Sequence, residues 1–226
     1  MSQHCLLIPL LLAVFTANAS AGEYQCQEPP QVFIAATEDR DVAGICTAAA
    51  KAFNFLAQFK LTAQRPIHIL LLEGPIALAN GKVHGSYNRD SDIILLTSFE
   101  AIVKQRGMSE LYPGIFDEIH YSGLIAHEVA HAVIQHNLVS GEQTIAQEYL
   151  AYSTQLGVMP EERRARIIAA VEGTAWEKGH VISAGYLALA PEKFAVKSYL
   201  HLVAQKNPRQ FVESLLKTEG ATIYVH

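Results

Sequence analysis

Two histidines and a glutamate within five residues, His127-Glu128-Val129-Ala130-His131, carry the clearest chemistry in this chain. They lie in an apolar, helix-forming run from Asp117 to Asn137. Residues four apart project from the same face of a helix, with their Cα atoms about 6 Å apart, so both imidazoles can bind one metal ion. The intervening glutamate can reach a water molecule on that ion. The pattern predicts a zinc site with a built-in general base. The alternative is a chance match, in which core hydrogen bonds satisfy both histidines and Glu128 is solvated.

Glu148 is a candidate third ligand because it lies in the apolar stripe of the next predicted helix. Ser140 and Gln143 fit a capping box at the start of that helix, and Gly157 fits its end. The stripe shares one helical face and contains Ile145, Glu148, Tyr149, Tyr152 and Leu156. A buried carboxylate needs a partner, which is either a metal ion on the neighbouring helix or an Arg, Lys or backbone amide.

The five-residue motif, followed by Glu148 seventeen residues after His131, resembles the gluzincin zinc metallopeptidases, the thermolysin-type branch of the peptidase MA-like proteins. The resemblance implies that His127, His131 and Glu148 bind Zn2+ and that Glu128 is the catalytic base. Many gluzincins have a glycine after the ligand glutamate, where this chain has Tyr149. The resemblance covers about residues 67–216, and its specificity is concentrated in the motif.

The resemblance also implies the reaction, which is zinc-dependent hydrolysis of peptide bonds in a peptide or protein substrate. Gluzincins usually add a Tyr or His that stabilises the oxyanion, and Tyr186, Tyr199 and His180 are the candidates here. Asp117 and Glu118 are candidates for carboxylates that orient the zinc-binding histidines.

Two other functions stay open at this point. A gluzincin-like scaffold could bind a partner protein or a metal in the periplasm without catalysis, although such a scaffold has no need of Glu128. A structural zinc protein would need a fourth ligand. The nearby His136 lies five residues after His131, off the ligand face.

The N-terminus has the pattern of a secretory signal peptide over residues 1–21. An apolar run from Cys5 to Ala17 is followed by small residues that fit an A-x-A cleavage site, with cleavage expected after Ala21 or alternatively after Ala19. An uncleaved anchor is the alternative, but the run is short for a membrane span. We therefore expect an exported protein, periplasmic or secreted, with no membrane segment after cleavage.

The cysteine count agrees with export. Cys5 leaves with the signal peptide, and Cys26 and Cys46 can form one internal disulfide. The alternative is two separate buried thiols.

The length suffices for one domain with a sizeable core or for two small lobes, and the composition excludes some partners. Half of the residues are hydrophobic, the net charge is −5, and no basic run suggests nucleic acid. The oligomeric state does not follow from the sequence.

Predicted elements complete the expected fold. Strands at 32–36 and 67–72 flank a helix at 41–59, which suggests a parallel βαβ unit. Strands at 82–87 and 92–97 form a predicted hairpin, in which His84 is not expected to bind metal. A short helix at 98–105 and a loop at 107–114 precede the motif helix. Helices at 160–172, 191–205 and 208–217 follow, with an irregular segment at 174–185 and a solvated arginine cluster (Arg163, Arg164 and Arg166).

The expected fold class is α+β and zincin-like. A small mixed β-sheet with helices forms the N-terminal part, the zinc-site helix lies in the middle, and the C-terminal part is all-helical. We expect a single domain at 22–226, with an α+β part at about 22–137 and a helical part at about 138–226.

Overall fold

The computed structural model describes residues 22–78, 81–105, 116–138, 144–218 and 222–225. The described chain is a mixed α+β fold. Its strands are β1 (Gly22–Gln25), β2 (Val32–Ala36), β3 (Ile67–Leu72), β4 (Ile76–Leu78), β5 (Gly81–Val83), β6 (Gly85–Asn88), β7 (Ile93–Thr97), β8 (Val181–Ser183) and β9 (Thr222–Tyr224). Its helices are α1 (Val42–Ala57), α2 (Phe99–Lys104), α3 (Glu118–Asn137), α4 (Thr144–Gly157), α5 (Glu161–Val171), α6 (Ala184–Leu189), α7 (Pro191–Val203) and α8 (Pro208–Leu215).

A five-stranded sheet in the order β1-β2-β3-β7-β6 forms the N-terminal half. The unit β2-α1-β3 is a parallel crossover, as the sequence predicts, and β7 is also parallel to β3. The outer strands β1 and β6 are antiparallel to their neighbours. The sheet is therefore mixed, with β6 at one edge.

One face of this sheet is buried, since apolar side chains that point into the core alternate along the strands with side chains on the other face. In β3, Ile67, Ile69 and Leu71 point into the core, whereas His68 and Leu70 are exposed on the other face. Helices α1 and α3 pack on the buried face and contact each other. This arrangement places the long helix α3 against the sheet edge at β6.

The predicted disulfide is confirmed. Cys26 follows β1 and is bonded to Cys46 in α1, with Cα atoms 5.5 Å apart and a sequence separation of 20. Closing a loop of this size is worth about 3 kcal/mol in the chain-entropy model. The bridge ties the first strand to the helix that packs on the sheet.

The hairpin prediction is confirmed only for its inner part. Strands β6 and β7 pair through a turn at residues 89–92. The predicted outer strand at 82–87 is divided, because residues 81–83 form β5 and pair with β4 instead. His84 lies at the break, where its carbonyl accepts from Thr97 N–H at 2.8 Å. Only a short piece of the outer strand thus faces α3.

The C-terminal part is not all-helical, contrary to expectation. Helices α5, α7 and α8 match the prediction, but the segment predicted as irregular contains β8 and the start of α6. Strand β8 pairs with β9 near the chain's end. Apolar residues in each short strand explain the pairing, since Ile182 and Ile223 are opposite each other and both buried.

The arginine cluster is also not a solvated face. Arg163 forms an ion pair with Asp117, and Arg164 donates to the Met159 carbonyl at 3.0 Å and lies over the Tyr199 ring. Only Arg166 fits the prediction, with a largely exposed side chain. Two of the three arginines therefore tie α5 to its neighbours.

Three predictions fall on residues outside the described ranges: the signal peptide at 1–21, the loop at 107–114 and the Ser140 cap. Within the described ranges, no helix combines the length and the apolar character needed to cross a membrane.

Candidate metal centre

Helix α3 presents the motif from a buried position. The side chain of Asp117 caps its N-terminus by accepting from the N–H groups of Ile119 and His120, each at 3.1 Å. His127 and Glu128 are buried, and His131 is partly buried with its side chain 13% exposed. The motif is therefore inside the fold, where such polar groups need partners.

Helix α4 packs against α3 and supplies the third side chain. Nε2 of His127 and Nε2 of His131 are 3.1 Å apart. Glu148 places one carboxylate oxygen 3.6 Å from His127 Nε2 and the other 3.7 Å from His131 Nε2. The structure thus brings together the three residues that the sequence analysis assigned as ligands, and among the described residues they form the one group with metal-binding geometry.

These separations fit a single small metal ion. Zinc binds imidazole nitrogen at about 2.0–2.1 Å in a tetrahedron, so two of its ligand atoms lie about 3.3 Å apart. The distances of 3.1, 3.6 and 3.7 Å lie on both sides of that value. Two imidazoles and one carboxylate are also a donor set found in catalytic zinc sites, which keep one position open. Structural zinc sites have a fourth protein ligand.

Glu128 lies beside this cluster, against the backbone of β6. A Cβ atom added to Gly85 would lie 2.7 Å from Oε1 of Glu128 and 2.8 Å from its Cγ. The backbone N–H of Tyr87, two residues further along β6, is near enough to act on the pKa of Glu128. Burial raises the pKa of Glu128 to about 7, and Glu148 adds to the rise, whereas His131 and the Tyr87 N–H oppose it. The carboxyl is therefore poised to exchange a proton near neutral pH.

His127 is held in a neutral form. Burial lowers its pKa well below the usual value, and neighbouring His131 lowers it further. The nearby side chain of Gln155 raises the pKa and partly offsets these two effects. Among the described residues, Nδ1 of His127 is buried and has no hydrogen-bond partner. A neutral imidazole is the form that binds metal. Gln155 lies seven residues after Glu148, so the same helical face carries both.

Tyr152 is a site residue that the sequence analysis counted only as part of an apolar stripe. Its ring packs edge-on against the His127 ring, with centroids 4.5 Å apart. Burial raises the pKa of its phenol, and the charges of Glu148 and Glu128 raise it further. Its position four residues after Glu148 is the signal that could have identified it, because such residues share a helical face.

The three residues proposed to stabilise an oxyanion make other contacts. Tyr186 packs on Trp176 with ring centroids 5.0 Å apart, Tyr199 lies under Arg164, and His180 accepts from the Glu177 N–H. None of these contacts involves the cluster of His127, His131 and Glu148, so the structure gives no support for the three candidates.

Among the described residues, the contacts of the candidates for orienting carboxylates do not involve His127 or His131 either. Asp117 caps α3 and bonds to His120 and Arg163, and Glu118 is exposed. His136 is off the ligand face as predicted, since its Nε2 lies 3.0 Å from Asp92.

Comparison with known proteins yields one family. The model of DUF6639, described as a family of unknown function, matches residues 32–223. The comparisons with curated proteins and with solved structures found no match. The matched range contains both ligand helices and the β6 edge.

Proposed function

We propose that this chain, which belongs to the DUF6639 family of unknown function, is a zinc-dependent hydrolase of peptide bonds. The observation that carries the proposal is the convergence of two histidines and a glutamate at metal-ligand separations, with a second, buried glutamate beside them. His127, His131 and Glu148 would hold the ion. Bound zinc supplies Lewis-acid activation of a water molecule and of the substrate carbonyl.

Glu128 is the residue that would move the proton. Its carboxylate accepts a proton from the attacking water and returns it to the leaving amine. Burial raises the pKa of Glu128, which makes its carboxylate a stronger base than that of an exposed glutamate. A scaffold that only binds metal or a partner gains nothing from a buried carboxylate at this place, and burial of the charge costs stability. The position of Glu128 therefore favours an enzyme over a non-catalytic scaffold.

The edge strand β6 offers a place for an extended peptide. Among the described strands, β6 pairs only with β7, so its other edge, which lies next to Glu128, has no strand partner. An extended substrate can add to such an edge through main-chain hydrogen bonds. We infer that the substrate is a peptide or an unfolded protein segment, bound in an extended form outside the cytoplasm. The Cys26–Cys46 disulfide is compatible with that compartment.

The wild-type protein is expected to contain about one zinc ion per chain and to cleave members of a mixed peptide library. Metal analysis by mass spectrometry measures the first property, and mass spectrometry of the library measures the second. A chelator should abolish cleavage, and added zinc should restore it. A zinc-loaded chain that cleaves nothing would make a non-catalytic scaffold the better interpretation.

Gly85→Ala is expected to lower peptidase activity while the chain keeps its zinc. The new Cβ would overlap both Oε1 and Cγ of Glu128, so the buried side chain must move as a whole. A displacement near 1 Å can cost about 10²-fold in rate. The matched control is Gly44→Ala, which adds the same atom where nothing lies within 4 Å. Equal activity of the two variants would show that the position of Glu128 against β6 is unimportant.

A further inference from the structure

A partly buried carboxylate outside the candidate metal centre gathers three donors from three different parts of the fold. Asp92 lies in the turn between β6 and β7 and has a left-handed backbone, with φ of 56°. It accepts from Arg65 Nε at 2.7 Å and from the Tyr87 hydroxyl at 2.7 Å, and its Oδ1 lies 3.0 Å from Nε2 of His136. Arg65 precedes β3, Tyr87 is in β6, and His136 is in the last turn of α3. We call these four residues the Asp92 network.

Asp92 stays ionised at physiological pH. Burial would raise the pKa of Asp92, but hydrogen bonds from Arg65, Tyr87 and His136 outweigh it and bring the value to about 2. The side chain of His136 is fully buried, whereas that of Arg65 is half exposed. Hydrogen bonds to an ionised acceptor are shorter and stronger than neutral ones, so the network can hold β6 firmly.

Strand β6 connects the network to Glu128. Thr97 N–H donates to the His84 carbonyl, so residues 84 and 97 form a hydrogen-bonded pair of the antiparallel ladder. By the alternation of such a ladder, Gly85 and Tyr87 direct their N–H groups away from β7. Gly85 faces Glu128, and the N–H of Tyr87 points away from β7, while the Tyr87 phenol donates to Asp92. The strand thus joins the candidate base to the network.

Few other contacts can fix the position of β6 relative to α3. The strand is short, and β7 holds it on one side only. Gly85, which faces Glu128, has no side chain that could anchor the strand to α3. The Tyr87 side chain is therefore the anchor on this face, and its hydroxyl ends on Asp92.

We propose that Asp92 is a positioning residue for Glu128, which acts by fixing Tyr87 so that β6 stays against the Glu128 side chain. The proposal rests on the proposed function in that Glu128 is taken as the general base. Its structural part, the placement of β6, can be measured without any activity.

Amide hydrogen exchange of residue 87, followed by NMR in the whole zinc-loaded chain, tests the structural part. Tyr87→Phe removes a single hydroxyl, and Asp92→Asn removes the charge. Each should speed exchange at residue 87 by about tenfold relative to the amide of Leu95, which reports general opening of the hairpin. The control is Tyr121→Phe, which removes another buried hydroxyl, bonded to the Thr97 carbonyl at 3.1 Å. It should leave that ratio unchanged.

A double-mutant cycle tests the catalytic part. Tyr87→Phe should lower kcat by about tenfold with unchanged zinc content in the wild-type background, because misplaced groups lose catalysis. In the Glu128→Gln background it should have no further effect, since it acts through Glu128. An equal loss in both backgrounds would overturn the proposal, as would unchanged exchange at residue 87. If the zinc-loaded wild type is inactive, the proposed function fails, and the exchange data alone decide the positioning role.

Discussion

Glu128→Gln is expected to keep about one zinc ion per chain and to lose peptidase activity by about 10²–10⁴-fold, the usual contribution of a general base. Glutamine has the shape of glutamate but cannot take up a proton. Glu128 is not one of the three clustered ligands, so metal binding and chemistry should separate at this residue. Metal analysis and initial rates on a library-derived peptide, measured on the same preparation, show both effects.

Glu118→Gln is the matched control for this experiment, because Glu118 is an exposed glutamate of the same helix. It should retain both zinc and activity. If Glu128→Gln cleaves as fast as the wild type, proton transfer by Glu128 is wrong whatever the zinc content. Loss of zinc from Glu128→Gln would instead show that the side chain helps to hold the ion.

Replacing one of the three proposed ligands should lower the zinc content, which Glu128→Gln is expected to leave unchanged. His131→Ala is expected to abolish zinc binding, and Glu148→Ala is expected to weaken it by more than the 10–100-fold that loss of an outer partner costs. His131→Ala leaves one proposed ligand on each helix, and Glu148→Ala leaves two on α3. A catalytic zinc site has three protein ligands, so neither variant has enough. Equilibrium competition with a chromogenic chelator measures the affinities.

His68→Ala and Glu162→Ala are the controls for the ligand variants, since both remove the same groups at exposed positions. They should bind zinc as the wild type does. Full zinc affinity in Glu148→Ala would remove Glu148 from the ligand set, and the separations of 3.6 and 3.7 Å would then reflect a simple contact.

The sequence was sufficient to predict the two helices of the metal centre. The spacing of His127 and His131 and the lone carboxylate of Glu148 in an apolar stripe are local patterns, and a helix converts local spacing into a shared face. The parallel β2-α1-β3 unit was predictable for a similar reason, because strand and helix periodicities differ clearly.

The surroundings of Glu128 were not predictable in this way. Gly85, Tyr87 and Asp92 reach Glu128 and His136 from a distant hairpin, and no local period records that meeting. The short strands β8 and β9 were missed because three residues are too few to show an alternation. Arg163 was misassigned because a charged residue on a helix is usually solvated, and its partner Asp117 lies 46 residues away in the sequence.

The two ligand helices have a consequence for the lifetime of the protein. An ion bound to His127 and His131 on α3 and to Glu148 on α4 would cross-link two helices that are otherwise held by packing and by a hydrogen bond from Gln147 to Gln135. Folding and metal binding then become linked equilibria. A free zinc concentration one hundredfold above the dissociation constant adds about 2.7 kcal/mol to the free energy of unfolding. Where zinc is scarce, the same chain should melt at a lower temperature and be digested faster by neighbouring proteases, so metal supply would set its abundance as well as its activity.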